Sequence, residues 1–113
     1  MHEYSLAQSI LRSVTKHAGN AKVTRVDLVI GEASGVLSES LCMYFDIFAE
    51  NTICSDAIIK IETTKPKLRC KACGIFFVRK PFCFKCTCGS EGEPTEIGRE
   101  FYIKSITIDE NEI

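Results

Sequence analysis

The chain has 113 residues, 45% of them hydrophobic and 26% charged, which is the composition of one globular domain with at most a small appended module. Its net charge of −1 argues against a globally basic nucleic-acid binder. No apolar run approaches the roughly 20 residues needed to cross a membrane, and the first residues are polar rather than an apolar signal core. We therefore expect a cytoplasmic protein without a membrane partner.

The first half of the chain predicts a helix, a strand and a second helix. Leu6, Ile10 and Val14 recur four residues apart, which is typical of one apolar helical face, and Gly19 is placed to end that helix. Residues 23–30 are rich in β-branched side chains and predict a strand. Ser38 is a suitable N-cap for a second helix that runs to about residue 51, with an apolar stripe formed by Leu41, Tyr44, Phe45 and Phe48.

Two further strands are predicted in the second half, on either side of a cysteine-rich stretch. Residues 57–63 have a strand pattern, and Pro66 marks the exit from it. Residues 101–108 are also strand-like, but the apolar positions change phase between Phe101/Ile103 and Ile106/Ile108. A bulge, or a strand that is apolar on both faces, would account for that change.

Five of the seven cysteines fall between residues 70 and 88: two Cys-x-x-Cys pairs separated by nine residues, and then Cys88. This spacing is typical of a tetrahedral zinc site with thiolate ligands. Two disulfides fit less well, because the number of cysteines is odd and the first residues do not resemble a signal peptide. A thioredoxin-like redox pair would explain one Cys-x-x-Cys motif but not two.

Spacing alone favours Cys70, Cys73, Cys83 and Cys86 as the zinc ligands, and leaves Cys88 as a spare or a substitute. A site of four sulfurs keeps no open position for water or substrate, so we expect its role to be structural rather than catalytic. Cys42 and Cys54 lie apart from this stretch and are expected to be small buried side chains.

The order of elements predicts an α+β fold, a three-stranded sheet covered by two helices, with an inserted zinc-ribbon-like module. We place the domain boundaries so that residues 1–64 plus 99–113 form an α+β domain and residues 65–98 form the inserted zinc-binding domain. Without its metal the inserted segment has little core of its own, so zinc is expected to supply much of its folding free energy.

The first three residues, Met1, His2 and Glu3, can form a second kind of metal site. An α-amine, the following backbone amide nitrogens and an imidazole can chelate one ion through fused rings, and such a planar nitrogen set suits Ni(II) or Cu(II). The competing interpretation is that His2 follows the first Met by chance. His17 is a weaker candidate, because a histidine in the last helical turn usually interacts with the helix dipole.

These motifs together resemble the hydrogenase nickel-incorporation chaperones, the HypA-type family, over essentially the whole chain. The residues that carry the resemblance are Met1-His2-Glu3-Tyr4-Ser5, Ile30-Gly31-Glu32, Ser38-Glu39-Ser40-Leu41, the two zinc knuckles and Gly98-x-Glu100. It implies nickel bound at His2, assisted by the Met1 amine and the Glu3 backbone. It also implies zinc in the knuckles, and delivery of nickel to the large subunit of a NiFe hydrogenase, together with a HypB-type maturation GTPase.

The second knuckle departs from the family pattern. Gly-Ser, which often follows the last cysteine in the family, follows Cys88 here rather than Cys86. The choice between Cys83 and Cys88 as the fourth ligand therefore stays open. The sequence also leaves open the nickel geometry, whether the protein is a monomer or a homodimer, and whether urease is a second client.

Two other function classes compete with this one, namely a nucleic-acid-binding zinc ribbon and an enzyme. Residues 65–85 carry seven basic residues and no acidic one, interleaved with phenylalanines, as in a zinc ribbon that stacks on nucleic acid. The same stretch can dock an acidic protein, or simply cover the zinc site, and the family resemblance favours a protein partner over nucleic acid. No nucleophile elbow, phosphate-binding glycine loop or open metal site is present in the sequence, so we do not expect an enzyme.

Overall fold

The computed structural model describes residues 2–78 and 83–109. Within them the chain forms an α+β fold with two helices, as the sequence predicts, and its strands form two small sheets. One sheet has the strand order β2-β1-β6 and the other β4-β3-β5. The elements are α1 (Glu3–Ala18), β1 (Lys22–Gly31), a short 3-10 helix (Glu32–Ser34), α2 (Ser38–Ala49), β2 (Ile58–Thr64), β3 (Lys67–Cys70), β4 (Phe76–Val78), β5 (Gly92–Pro94) and β6 (Phe101–Asp109).

The described residues form two compact units. The second unit consists of residues 30–34 and 63–101, and the remaining residues belong to the first. Strands β3, β4 and β5 therefore form an insertion between β2 and β6, which is the predicted place of the zinc-ribbon-like module. No helix among the described residues is long and apolar enough to span a membrane.

Helix α1 has the predicted amphipathic pattern. Leu6, Ile10 and Val14 are buried together with Ala7, because residues three and four apart share one face of a helix. The helix ends where Gly19 takes a φ of 64°, and the Gly19 N–H donates to the Thr15 carbonyl at 3.1 Å. A residue with a side chain would be strained in that conformation.

Helix α2 differs from the prediction at both ends. Ser38 is its first helical residue rather than its N-cap, a position that Leu37 occupies without a side-chain hydrogen bond, and the helix ends at Ala49. Its buried face is narrower than the predicted stripe, because Leu41 and Phe45 are buried whereas Tyr44 and Phe48 are only half-buried.

Strand β1 lies at the centre of the larger sheet and supplies much of the core of the first unit. Val26, Leu28 and Val29 are almost fully inaccessible, and burial on consecutive residues shows that both faces of this strand are covered. The two outer strands are more exposed. Along β6 the half-buried positions change phase at Lys104 and Ser105, which are both exposed, as the apolar pattern predicted.

The second unit has a very small apolar core. Among its described residues 63–101, the buried apolar side chains are those of Leu68, Cys70 and Cys86. Its backbone is tightly packed around one glycine, since a Cβ on Gly98 would lie 2.5 Å from the Cα of Pro66. Two of these three side chains are cysteines, and residues 30–34 of the unit add the buried side chain of Ile30, so we expect the unit to depend on whatever its sulfurs bind.

Candidate metal centres

Four cysteine sulfurs converge in the second unit. The Sγ atoms of Cys70, Cys73, Cys86 and Cys88 all lie within 4.8 Å of one another. The Sγ atoms of Cys70 and Cys88 are 3.4 Å apart, and those of Cys73 and Cys86 are 3.8 Å apart. A tetrahedral zinc ion with Zn–S bonds of about 2.3 Å needs sulfurs about 3.8 Å apart, so the group has the dimensions of such a site.

The first pair of sulfurs is carried by a turn at the end of β3. The Gly74 N–H donates to the Cys70 carbonyl at 3.0 Å, and the Cys70 N–H donates to the Ile75 carbonyl at 2.8 Å. Gly74 has a φ of 76°, which reverses the chain after Cys73 at no steric cost. The Cys73 N–H points at the Cys70 sulfur at 3.4 Å, as expected of a backbone donor to a thiolate.

The second pair is carried by a turn with the same hydrogen bonds but one residue fewer. The Gly89 N–H donates to the Cys86 carbonyl and the Cys86 N–H to the Ser90 carbonyl, both at 2.9 Å. Gly89 has a φ of 93°. Cys86-x-Cys88-Gly89 therefore corresponds to Cys70-x-x-Cys73-Gly74, with a left-handed glycine directly after the second sulfur in each turn.

Cys83 is exposed and lies outside the group of four sulfurs. The structure thus brings together three cysteines of the set favoured by spacing, and adds Cys88, the alternative that the sequence left open. The glycine after Cys88 was the available signal for that alternative, because it repeats the glycine after Cys73. Of the other two cysteines, Cys54 is buried as expected and Cys42 is half-buried.

The surroundings of the sulfurs favour ionisation of some thiols and oppose that of others. The Cys73 N–H lowers the pKa of Cys70 to about 6, and the Cys88 N–H lowers the pKa of Cys86. The Ile75 N–H acts to lower the pKa of Cys73, but the neighbouring Cys70 sulfur, burial and the other sulfurs raise it to about 11. Negative charge gathered on four adjacent sulfurs is stabilised by a divalent cation.

The amino-terminal candidate site lies in the first unit. His2 is exposed and precedes the first residue of α1 in an extended conformation, with φ −94° and ψ 138°. Its carbonyl accepts the Leu6 N–H at 3.1 Å, which begins the helical hydrogen bonds. Glu3 uses its side chain to accept the Leu37 N–H at 3.5 Å. Met1 lies outside the described residues.

His17 is not placed as a metal ligand. It lies in the last turn of α1, and its Nδ1 is 2.8 Å from the Ser13 carbonyl oxygen of the same helix. A histidine in the last turn of a helix also interacts favourably with the helix dipole.

The basic stretch forms one outer face of the smaller sheet. Lys67 pairs with Val78 and Arg69 pairs with Phe76 across β3 and β4, and all four side chains are exposed. Phe77 lies on the other face, opposite the buried Leu68, so part of the aromatic pattern covers the small core. Three further residues of the pattern lie outside the described part of the chain, namely Arg79, Lys80 and Phe82.

Comparisons with known proteins point to one family. A family model described as "Hydrogenase/urease nickel incorporation, metallochaperone, hypA" matches residues 1–108. Hydrogenase maturation factor HypA of Caldanaerobacter subterraneus subsp. tengcongensis is 40% identical over 114 residues, which cover 96% of this chain and all of that protein. HypA of Chlorobaculum tepidum is 39% identical over 113 residues, with the same coverage.

Solved structures agree with this result. The solution structure of the Ni metallochaperone HypA from Helicobacter pylori has a TM-score of 0.65 and 30% identity, and a second HypA solution structure has a TM-score of 0.72 and 29% identity. Each alignment covers 96% of this chain and 97% of the other. The chain therefore belongs to the HypA family of nickel metallochaperones for hydrogenase maturation.

Proposed function

We propose that this protein binds one Ni(II) ion at its amino terminus and delivers it to the large subunit of a NiFe hydrogenase. The proposed ligands are the His2 imidazole, the Met1 amine and the Glu3 backbone nitrogen. The observation that supports this most directly is that His2 is exposed and lies just before α1. Nickel is the cargo in this scheme, and the protein itself carries out no catalysis.

The start of α1 suits such ligands for a physical reason. The first N–H groups of a helix have no carbonyl one turn earlier to bond with. The Glu3 nitrogen belongs to this group, so its proton can be exchanged for a metal without loss of a helical hydrogen bond. The helix begins with the Leu6 N–H, which bonds the His2 carbonyl and leaves the imidazole outside the helix.

We further propose that the four-cysteine group of Cys70, Cys73, Cys86 and Cys88 holds zinc as a resident structural ion. The sulfur spacing and the backbone N–H donors fit a tetrahedral thiolate site. With all four positions taken by sulfur, the ion has no open position for a substrate. What it supplies is cross-linking of two turns in a unit with a very small apolar core.

Ligand exchange is the transfer mechanism that this arrangement supports. A mostly nitrogen site at an exposed chain end binds nickel with modest affinity and lets a second protein approach it. A receiving site with thiolate ligands then takes over the ion one ligand at a time. Intrinsic affinity cannot select nickel here, because Cu(II) binds such ligands more tightly, so selectivity depends on copper availability and on recognition of the partner.

The proposed setting follows from the family role in hydrogenase maturation. We propose that the protein works in the cytoplasm with a HypB-type maturation GTPase, as a monomer or a homodimer. Urease is a possible second client because the description of the family includes it.

The test is nickel titration calorimetry on zinc-loaded protein with an untagged, native amino terminus. We expect one nickel ion per chain in the wild type, no comparable binding in His2→Ala, and unchanged zinc content in both. His17→Ala is the matched control, because His17 bonds its own helix, and it should bind nickel as the wild type does. Equal binding by His2→Ala and the wild type would remove the amino terminus from the mechanism.

A further inference from the structure

Helix α2 presents large apolar side chains to solvent. Leu37 is 64% exposed, Met43 52% and Ile47 55%, and Tyr4 of α1 is 49% exposed. Met43 and Ile47 are four residues apart, so they lie one above the other on a side of the helix that faces away from the core. Single exposed apolar residues are ordinary, but several on one helix and its neighbour form a patch that needs an explanation.

This patch adjoins the proposed nickel site through direct contacts. The Glu3 carboxylate accepts the Leu37 N–H at 3.5 Å. The Tyr4 ring packs edge-to-face on Tyr44 and Phe48, with ring centroids 5.5 and 4.9 Å apart. The two residues that follow His2 in the chain therefore both touch α2 or the residue that precedes it.

The patch has an acidic border. Glu39, Asp46 and Glu50 are exposed and follow one another at intervals of seven and four residues, so they form a row beside Met43 and Ile47. Between Arg25 and Lys60 the chain contains no lysine, arginine or histidine. The acidic row therefore has no basic residue on α2 itself to offset its charge, while Arg12 of α1 lines a pocket together with Phe48 of α2.

We propose that this α2 surface, defined by Tyr4, Leu37, Met43 and Ile47 with the acidic row of Glu39, Asp46 and Glu50, docks the protein that accepts nickel. The inference rests on the proposed nickel site at His2. The matching surface on the acceptor is an apolar depression bordered by lysine and arginine side chains beside its own nickel ligands.

The apolar side chains and the acidic row of this surface have separate roles in nickel transfer. Ligand exchange requires the donor and acceptor atoms to approach within about one bond length, and a docked complex raises their effective concentration to the millimolar range. The apolar side chains supply the contact that slows dissociation. The acidic row increases the rate of encounter with a basic partner and makes that rate sensitive to salt.

The experiment measures binding of nickel-loaded protein to a purified precursor of a NiFe hydrogenase large subunit. Met43→Ser/Ile47→Ser is expected to weaken this binding at least about tenfold and to slow nickel transfer. Its nickel affinity and zinc content should stay at the wild-type level. Ile58→Ser is the matched control, because Ile58 is 61% exposed and belongs to β2 rather than to the α2 surface.

A second variant tests the charge independently of the apolar contact. Asp46→Asn/Glu50→Gln should lower the association rate and flatten its dependence on salt, with little change in the dissociation rate. Unchanged binding of both double variants, or an equal loss in Ile58→Ser, overturns the proposal. The proposal is also overturned if the variants weaken only self-association of this protein or its binding to the maturation GTPase, because the α2 surface would then bind one of those partners and not the nickel acceptor.

Failure of the proposed nickel site has a different signature. In that case wild-type protein binds no nickel at His2, whereas binding of the zinc-loaded, nickel-free chain to the precursor can still be compared among the same variants. If the wild type binds nickel at His2, but the α2-surface variants bind the precursor as the wild type does, only the docking inference is refuted.

Discussion

Replacement of Cys88 by serine tests the assignment of the fourth zinc ligand. Structural zinc sites supply about 10–16 kcal/mol through four ligands, so loss of one thiolate should cost about 3 kcal/mol, or about a hundredfold in affinity. The apolar core of residues 63–101 cannot compensate, because burial of Leu68 supplies only about 1.5–3 kcal/mol. We expect Cys88→Ser to bind zinc about a hundredfold more weakly than the wild type, so that a chelator removes the ion and unfolds the second unit at concentrations that the wild type withstands.

Cys83→Ser is the control for this experiment. Cys83 is exposed and its sulfur lies outside the group of four, so the substitution should leave zinc content and affinity unchanged. Co(II) substitution reports the ligand set, since the visible spectrum of a four-sulfur site differs from that of a site with three sulfurs. Competition with a chelator then gives the affinity of each variant.

Amide NMR spectra of the same variants show which residues unfold. If residues 65–98 are a separate domain, as the sequence predicts, signals of that range should collapse on chelation, and at a lower chelator concentration in Cys88→Ser than in the wild type, while signals from α1, α2 and β1 persist. A Cys83→Ser protein that loses zinc, beside a Cys88→Ser protein that keeps it, would refute the ligand assignment. Loss of all signals in Cys88→Ser would refute the separate domain.

Three further predictions concern the fold. Gly98→Ala should destabilise the second unit by at least about 2 kcal/mol in denaturant unfolding, because φ is 98° and the added Cβ would lie 2.5 Å from a backbone atom. Gly35→Ala, with open space around it, should cost about 1 kcal/mol in the same measurement. Phe45→Ala should cost about 3–5 kcal/mol by calorimetry, since the ring is fully buried, and exposed Ile47→Ala should be nearly neutral. The pKa of Glu100 is lowered by its own backbone N–H and by a neighbouring hydroxyl, so the ionised carboxylate stabilises the fold above about pH 4.5 and this stabilisation is lost as the pH falls. The melting temperature should therefore fall less steeply with acid in Glu100→Gln than in the wild type. An equal dependence of the melting temperature on pH in both proteins would contradict this.

Local patterns in the sequence predicted both helices, the three longer strands and a cysteine metal site. The four-residue apolar spacing in α1, the β-branched run in β1 and the insertion of a cysteine-rich stretch between two strands each reflect a rule that acts over a few residues. The Cys-x-x-Cys spacing and the amino-terminal His2 were sufficient to indicate two metals of different chemistry, and the family resemblance that they support is confirmed.

Only the tertiary structure decided which sulfurs meet and which apolar side chains stay exposed. Cys83 has the regular spacing, but the second turn is built on Cys86, Cys88 and Gly89, and the convergence of sulfurs from two turns is a long-range property of the chain. In the same way, the predicted apolar stripe of α2 does not distinguish buried Phe45 from half-buried Tyr44 and Phe48, because burial depends on where the rest of the first unit packs.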